Sequence, residues 1–552
     1  MKKMLSLLLI AAMMLTLFVG CGGGESAASA VASSAPASAA EAPAASGEHA
    51  NFLKIVEETP DIVDPQCTTD YYTVGMNIFD RLVEVKANGD GTSEIVPSLA
   101  TDWDISDDGL EYTFYLAKDV KYTNGADFTA SDVLYTMTRM LTYEKALNGD
   151  IYDIIVGAEE LASGAAETLS GFELIDDHTF KVTLSQPYAA FMACLTTPGA
   201  SMLDEETTEA AGDQFGIDPA VTIGTGPFIF ESWEFNSEMV LVSNPDCWSG
   251  APACEGIVMM DIPDEATQRM MFENGELDLL DLDNATSQAD YFLSNPDYAD
   301  QITSGQRVGI YYIALNQNHE ALSNAKVRQA LQRGIDRQAI LDALYGGRGK
   351  VENGIFSTGL IGFNPDLPEI PYDVEAAKAL LAEAGYADGF EMELCYSSDS
   401  SQTTKDTLEI VSAMWKEIGV TANVVEVDEG SFTERRKAGE LNAYTNSWSA
   451  DFNDPDNFIY TFFGTAENNV NRGLNYGNTE VFDRVAAARG IVDEAKRIAE
   501  YQDLEKLIFQ EDACWIPLYS KEHLYVVNPR VSGFTVSWNG WSSNYYHNVS
   551  VG

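Results

Sequence analysis

Basic side chains are scarce in this chain. Lys and Arg together number 32 against 86 Asp and Glu, a formal net charge of -54 over 552 residues. Such a field repels a phosphate backbone, which excludes nucleic acid as a partner. Histidine is scarcer still, at five residues. There is no CxxC, no cysteine stands at zinc spacing from a histidine, and His319-Glu320 lacks the second histidine of HExxH because position 323 is Ser. No metal and no cofactor is therefore expected. GxSxG is absent too; Ser323 to Lys326 (SNAK) fits SxxK but has neither an SDN nor a KTG partner, so Ser323 or Asn324 reads as a helix cap. A glycosidase-type carboxylate pair stays open among so many acids, and no catalytic residue is assigned. Beyond the N-terminus no apolar run approaches the length of a membrane span.

What is present is globular. The chain is 45% hydrophobic and 11% aromatic, with length for two to four domains. Lys2 and Lys3 precede an apolar stretch from Met4 to Val19, so residues 1–20 read as a signal peptide. Leu17 to Cys21 (LFVGC) resembles the bacterial lipobox, with Phe18 where Leu is usual, which makes Cys21 the lipidated residue. Residues 21–50 continue as an Ala/Ser/Gly/Pro linker too poor in apolar side chains to fold. The body is then lipid-anchored at the outer face of the cytoplasmic membrane without a transmembrane helix. Cys67, Cys194, Cys247, Cys254, Cys395 and Cys514 remain, either as buried thiols or with Cys247 and Cys254 bridged.

From residue 51 short strands alternate with helices. Tyr112 to Leu116 and Phe180 to Leu184 alternate as strands, and Thr129 reads as the N-cap of a helix through Leu141. Gly224 to Phe228 (GTGPF) lacks the Lys-Ser/Thr ending of a phosphate loop and reads as a turn. Arg328 and Asp336 read as a long-range salt bridge. Ordered clusters then accumulate: Pro97 to Trp103 (PSLATDW), Ser106 to Gly109, Phe128 to Val133 (FTASDV), GTGPF, Asn244 to Gly250 (NPDCWSG), Val327 to Leu331 (VRQAL), and Asp451 to Phe458. Together they resemble the peptide/nickel class (family 5) of extracellular solute-binding proteins, the capture components of ABC importers.

That resemblance implies an α/β, two-lobed, periplasmic-binding-protein-like fold (type II, cluster C) with an inserted domain and a two-strand hinge. One lobe would comprise 51–93, 222–308 and 528–552 with 94–221 inserted; the other would be 309–527. Val308 to Leu315 suits a crossing strand, with a partner in Trp515 to Tyr519 and Leu524 to Val527. The implied function is non-enzymatic: a monomer that captures di- or oligopeptides and delivers them to an ABC permease and ATPase complex. A nickel chelate or an oligosaccharide on the same fold is the nearest alternative; an exported hydrolase or a surface adhesion lipoprotein is the alternative of another class.

The stretch Ser447 to Phe458 (SWSADFNDPDNF) concentrates the chemistry. A calcium loop is excluded by Pro455 at the fifth position and Phe462 at the twelfth. Asp454, Pro455 and Asp456 form a helix start. Asp451 then sits in a strand-to-helix loop, where ligands bind in doubly wound sheets. By the resemblance, the acid of W-x-x-D-x-x-D-P (Trp448, Asp451, Asp454, Pro455) meets a peptide's α-ammonium. Ala450 belongs to the same loop, and Trp448 either walls a side-chain pocket or packs in the core. Thr68, Thr69, Asp70, Tyr71 and Tyr72 match the loop that covers the ligand, or form an ordinary turn. Lys405 stands where dipeptide binders place a base for the C-terminal carboxylate, or is a solvated helix-start lysine.

Overall fold

The computed structural model describes residues 49–69, 71–87, 93–540 and 544–552. The expected signal peptide, Cys21, the linker up to residue 48, and Asp70 lie outside them. The chain is α/β, as the sequence implies, with three principal sheets.

The seven-stranded sheet runs in the order Ile302–Gln306, Glu522–Val527, Leu279–Asp281, Leu53–Val56, Gly256–Met260, Glu238–Ser243, Phe228–Glu234. Its centre is Leu53–Val56, parallel to both neighbours. The six-stranded sheet runs Lys350–Val351, Trp515–Ser520, Gly309–Leu315, Ala443–Ser449, Phe390–Ser397, Val420–Val427. Residues of Gly309–Leu315 read as one continuous apolar run because both faces are covered. Ile310, Tyr312 and Ala314 enter one core cluster, Ile313 and Leu315 another. Trp515 anchors the first, its ring 3.8 Å from that of Tyr312 and 4.8 Å from that of Phe462. A four-stranded antiparallel sheet, Ala100–Ile105, Glu111–Leu116, Thr179–Thr183 and Phe172–Asp176, builds its own core.

The chain passes twice between the seven- and six-stranded sheets. Ile302–Gln306 leads through Arg307 and Val308 into Gly309–Leu315; Trp515–Ser520 leads through Lys521 into Glu522–Val527. The passages lie side by side, the Arg307 N–H donating to the Lys521 carbonyl at 3.0 Å. Two expectations change here. The crossing is confined to Arg307 and Val308 rather than occupying Val308 to Leu315, because that strand pairs along its length inside the six-stranded sheet. Residues 522–527, placed above with 309–521, pair instead with Ile302–Gln306 and Leu279–Asp281.

Local readings are settled by hydrogen bonds. Thr129 caps Ala130–Thr142 in a reciprocal box with Asp132. Asn324, not Ser323, caps Ala325–Arg333. Arg328 and Asp336 do not pair: the guanidinium donates to the carbonyls of Leu322, Ser323, Asp512 and Ala513, while Asp336 caps the next helix, Arg337–Tyr345. A break at Gly334 and Ile335 separates the two helices, so the expected shared face does not exist. GTGPF is a packed turn; a Cβ on Gly224 would collide with the Ile78 carbonyl oxygen. All six cysteines of the body are free thiols, five of them buried.

Candidate functional site

Both large sheets turn the carboxyl ends of their parallel strands toward the two passages. In the six-stranded sheet, Ser449 at the end of Ala443–Ser449 faces Gly309, immediately after the crossing. In the seven-stranded sheet, the register places Asp281, at the end of Leu279–Asp281, opposite Tyr525 and beside His523, whose Nε2 lies 2.9 Å from Asp281 Oδ2. Loops at such carboxyl edges are where α/β sheets hold ligands.

One strand there is uncovered. Ala443–Ser449 pairs with Gly309–Leu315 throughout, but with Phe390–Ser397 only at Leu394 with Ala443 and Cys395 with Tyr444. Beyond Tyr444 the parallel strands part, and among the described residues Thr445–Ser449 has no strand on that side. A pocket of about 360 Å³ opens in the gap, lined among others by Tyr311, Ser397, Thr404, Phe432, Arg436 and Ser447. Another pocket, of about 370 Å³, lies at Asn124, Asp204 and Thr207, and none of the candidate ligand residues lines it. Of its two acids, Glu206 is exposed and Asp204 is already engaged, capping Glu205–Ala211 and taking the Asn124 amide at 3.1 Å.

The strand end runs into the predicted motif. Ala450 is buried and donates its N–H to the Val308 carbonyl at 2.9 Å, which ties the motif to the crossing. Asp451 follows on the exposed side. Its N–H donates to Asn457 Oδ1 (3.1 Å), and its Oδ2 accepts from Asn457 Nδ2 (2.9 Å). Trp448 is half-buried: its indole N–H also reaches Asn457 Oδ1 (3.3 Å), its ring meets Phe462 edge-on, and the Arg472 guanidinium lies 4.8 Å from the ring centre. One face of Trp448 is thus core.

Asp454 and Asp456 carry out the expected helix start and more. Asp454 caps Pro455–Phe463 by accepting the Asp456 N–H at 2.9 Å. The Arg497 fork also clasps it at 2.8 and 2.6 Å, both side chains buried. Asp456 accepts from Arg489 Nε (3.1 Å) and Tyr501 Oη (2.8 Å). Burial raises its pKa, against which Arg489 acts. These two acids are locked into the scaffold beneath Asp451, so neither is available to a solute.

The other expected residues divide. Thr68, Thr69, Tyr71 and Tyr72 lie on the segment that follows the carboxyl end of Leu53–Val56. The Thr68 carbonyl accepts from Tyr72 Oη and Asn148 Nδ2, each at 2.9 Å; Thr69 is exposed. Tyr71 is exposed, with φ of 57°, and donates to Glu58 Oε2 at 3.0 Å. That is a built loop rather than a slack turn, since a non-glycine residue in the left-handed region costs energy that its surroundings supply. Lys405 is not brought to the pocket. It pairs with Glu426 at 3.5 Å over the Tyr396 ring, and its neighbour Thr404 lines the cavity instead. The basic residue that does line the cavity is Arg436, which the sequence reading missed. Its signal was available: Arg435-Arg436-Lys437 is a run of three bases in a chain dominated by acids.

The chain is 31% identical to the heme-binding protein A of Haemophilus influenzae, over 88% of each chain. It is 29% identical to the dipeptide-binding protein of Escherichia coli, over 92% of this chain and 96% of that one. Among solved structures, the periplasmic binding protein DppA from Helicobacter pylori, in complex with the peptide STSA, superposes with a TM-score of 0.68 at 26% identity, covering 91% of this chain and 97% of that one. No helix among the described residues is long and apolar enough to cross a membrane. The family model for bacterial extracellular solute-binding proteins, family 5, matches residues 94–470. The chain belongs to that family and is a binder of solutes, not an enzyme.

Proposed function

We propose that the chain captures short peptides outside the cell and hands them to an ABC permease and its ATPase complex, as a monomer tethered to the outer face of the cytoplasmic membrane through lipidated Cys21. The observation that carries the reading is the uncovered edge of Thr445–Ser449 running into Asp451. Main-chain N–H and C=O groups on such an edge need partners, and an extended peptide supplies them as an added strand. Asp451 stands at the end of that edge to receive the peptide's α-ammonium. The adjoining pocket, polar around Ser397, Thr404 and Ser447, takes a side chain together with water. Trp448 and Ala450 hold the strand end in place. Thr68, Thr69, Tyr71 and Tyr72 cover the ligand from the other sheet, and Asp70, outside the described residues, is assigned to the same role by its place in the sequence.

The test is mass spectrometry of solute released by denaturing the purified chain. Peptides of a few residues are expected. A metal chelate, a sugar or heme in their place would overturn the substrate class while leaving the family standing. Cys21→Ala is expected to release the chain from washed membranes into the soluble fraction; retention would count against the tether.

A further inference from the structure

The chain has 86 acidic and 32 basic side chains, and several of its guanidiniums are already taken up by carboxylates. Arg139, Arg484, Arg489, Arg497 and Arg530 each hold a carboxylate oxygen within 3.1 Å. Arg436 and Arg472 hold none among the described residues. Arg436 lies in the last turn of helix Glu429–Lys437 and lines the pocket beside Thr445–Ser447. The carboxylates of Glu393 and Glu440 both go to its neighbour Arg435, at 3.7 Å each. Arg436 Nε is buried without a hydrogen-bond partner, a condition that buried donors rarely keep.

Arg472 stands close by. Its guanidinium is 4.8 Å from the centre of the Trp448 ring and 5.0 Å from that of Phe462. The next residue, Gly473, packs on Arg436, where an added Cβ would lie 3.2 Å from Arg436 Cγ. Burial pushes the phenols of Tyr312 and Tyr444 up, Tyr312 to about 12, and both guanidiniums pull against it, so the two cations act on one place. Two acids, Asp399 and Glu429, also line the pocket, but both are exposed, so water and salt screen them. The half-buried guanidinium is screened less.

Resting on the peptide reading above, we infer that this pocket selects peptides with an acidic side chain, whose carboxylate pairs with Arg436 while Arg472 adds positive charge behind it. A guanidinium presents a planar fork that fits a carboxylate with two parallel hydrogen bonds. A glutamine of the same shape forfeits the charge and one half of that match.

Binding of tripeptides to the full-length purified chain tests this by calorimetry. The set has Glu or Gln at each position in turn with Ala elsewhere, each as free acid and as C-terminal amide. At one position Glu is expected to bind at least tenfold more tightly than Gln, and Arg436→Gln to reduce that ratio to below threefold. Arg472→Gln should lower it by a few-fold, and Arg436→Lys should retain part of it. The wild-type comparison stands even if a variant fails to fold. Equal binding of Glu and Gln peptides in wild type overturns the inference and leaves peptide capture intact. A free-acid preference that Arg436→Gln abolishes, without any preference for Glu, assigns the pocket to the terminal carboxylate and also overturns it. Binding of no peptide, acidic or neutral, overturns the peptide reading and this inference with it.

Discussion

The side-chain amide of Asn457 grips Asp451 at two points, accepting its main-chain N–H at 3.1 Å and donating to its Oδ2 at 2.9 Å. The same Oδ1 receives the Trp448 indole, so a single residue one turn into a helix orients both motif residues. Asp451→Asn is expected to weaken binding of free-amino peptides by about tenfold to a hundredfold, within the cost of leaving an ammonium unpaired in a cleft. N-acetylated peptides, which bring no cation, should lose far less. Asn457→Leu removes the grip without touching the carboxylate, and a loss of about 1–3 kcal/mol in free-amino peptide binding is expected. Isothermal calorimetry on both peptide classes decides: an equal loss for the two would sink the role of Asp451.

The Arg497–Asp454 clasp is buried, whereas Arg484 pairs with Glu500 and Asp503 near the surface. Removing one partner of a buried pair strands the other charge, so Arg497→Ala should cost about 3–5 kcal/mol of folding stability. Arg484→Ala should cost less than about 1 kcal/mol. Urea midpoints of the two variants against wild type measure this, and comparable losses would contradict the burial argument.

Glu505 accepts the Phe356 N–H at 2.9 Å through one oxygen, while the other is buried without a partner. Burial pushes its pKa up to about 8 from an ordinary 4.5, the two backbone hydrogen bonds opposing it. Between those values the folded chain keeps a proton that the unfolded chain has released. Stability therefore falls as pH rises through that window, by up to about 1.4 kcal/mol per pH unit for each such group. Glu57, raised to about 8, and Glu352, raised to about 7, add in the same direction. Thermal unfolding at pH 5, 6.5 and 8 should show wild type losing stability more steeply than Glu505→Gln. Parallel pH profiles would show that Glu505 is already ionised in the fold.

Gly224 needs no unusual backbone angle; what it needs is room. With a Cβ blocked by the Ile78 carbonyl, Gly224→Ala must displace main chain rather than a flexible side chain. Overpacking of this kind costs about 1–3 kcal/mol. A melting temperature unchanged from wild type would show that the turn relaxes freely.

Much of this was open to sequence reasoning because the signals were local. A cap such as Thr129 or Asp454 acts within three residues of itself, and the unbroken apolar run Gly309–Leu315 announces a strand covered on both faces. Long-range choices were not legible. Nothing near Arg328 says that it serves carbonyls 184 and 185 residues away. Nor does Lys405 reveal that a strand end brings Glu426 to it first. Arg436 escaped for the same reason: its place depends on where two parallel strands separate, which is set by the pairing of Leu394 with Ala443 and of Cys395 with Tyr444.

The twin passages at Arg307 and Lys521 have a mechanical meaning. Links hydrogen-bonded side by side cannot slide independently, so motion of one sheet against the other reduces to turning about a short axle. Displacement then grows with lever arm. Ala450, bonded to Val308, lies beside the axle, where any such turn would displace it least, and Asp451 is the next residue. By contrast Asn453, which reaches Ser93 and the Gly359 carbonyl, bridges segments far apart along the chain. On the proposed reading, a solute docking at Asp451 would be held close to that axle, where a turn of one sheet against the other displaces it least.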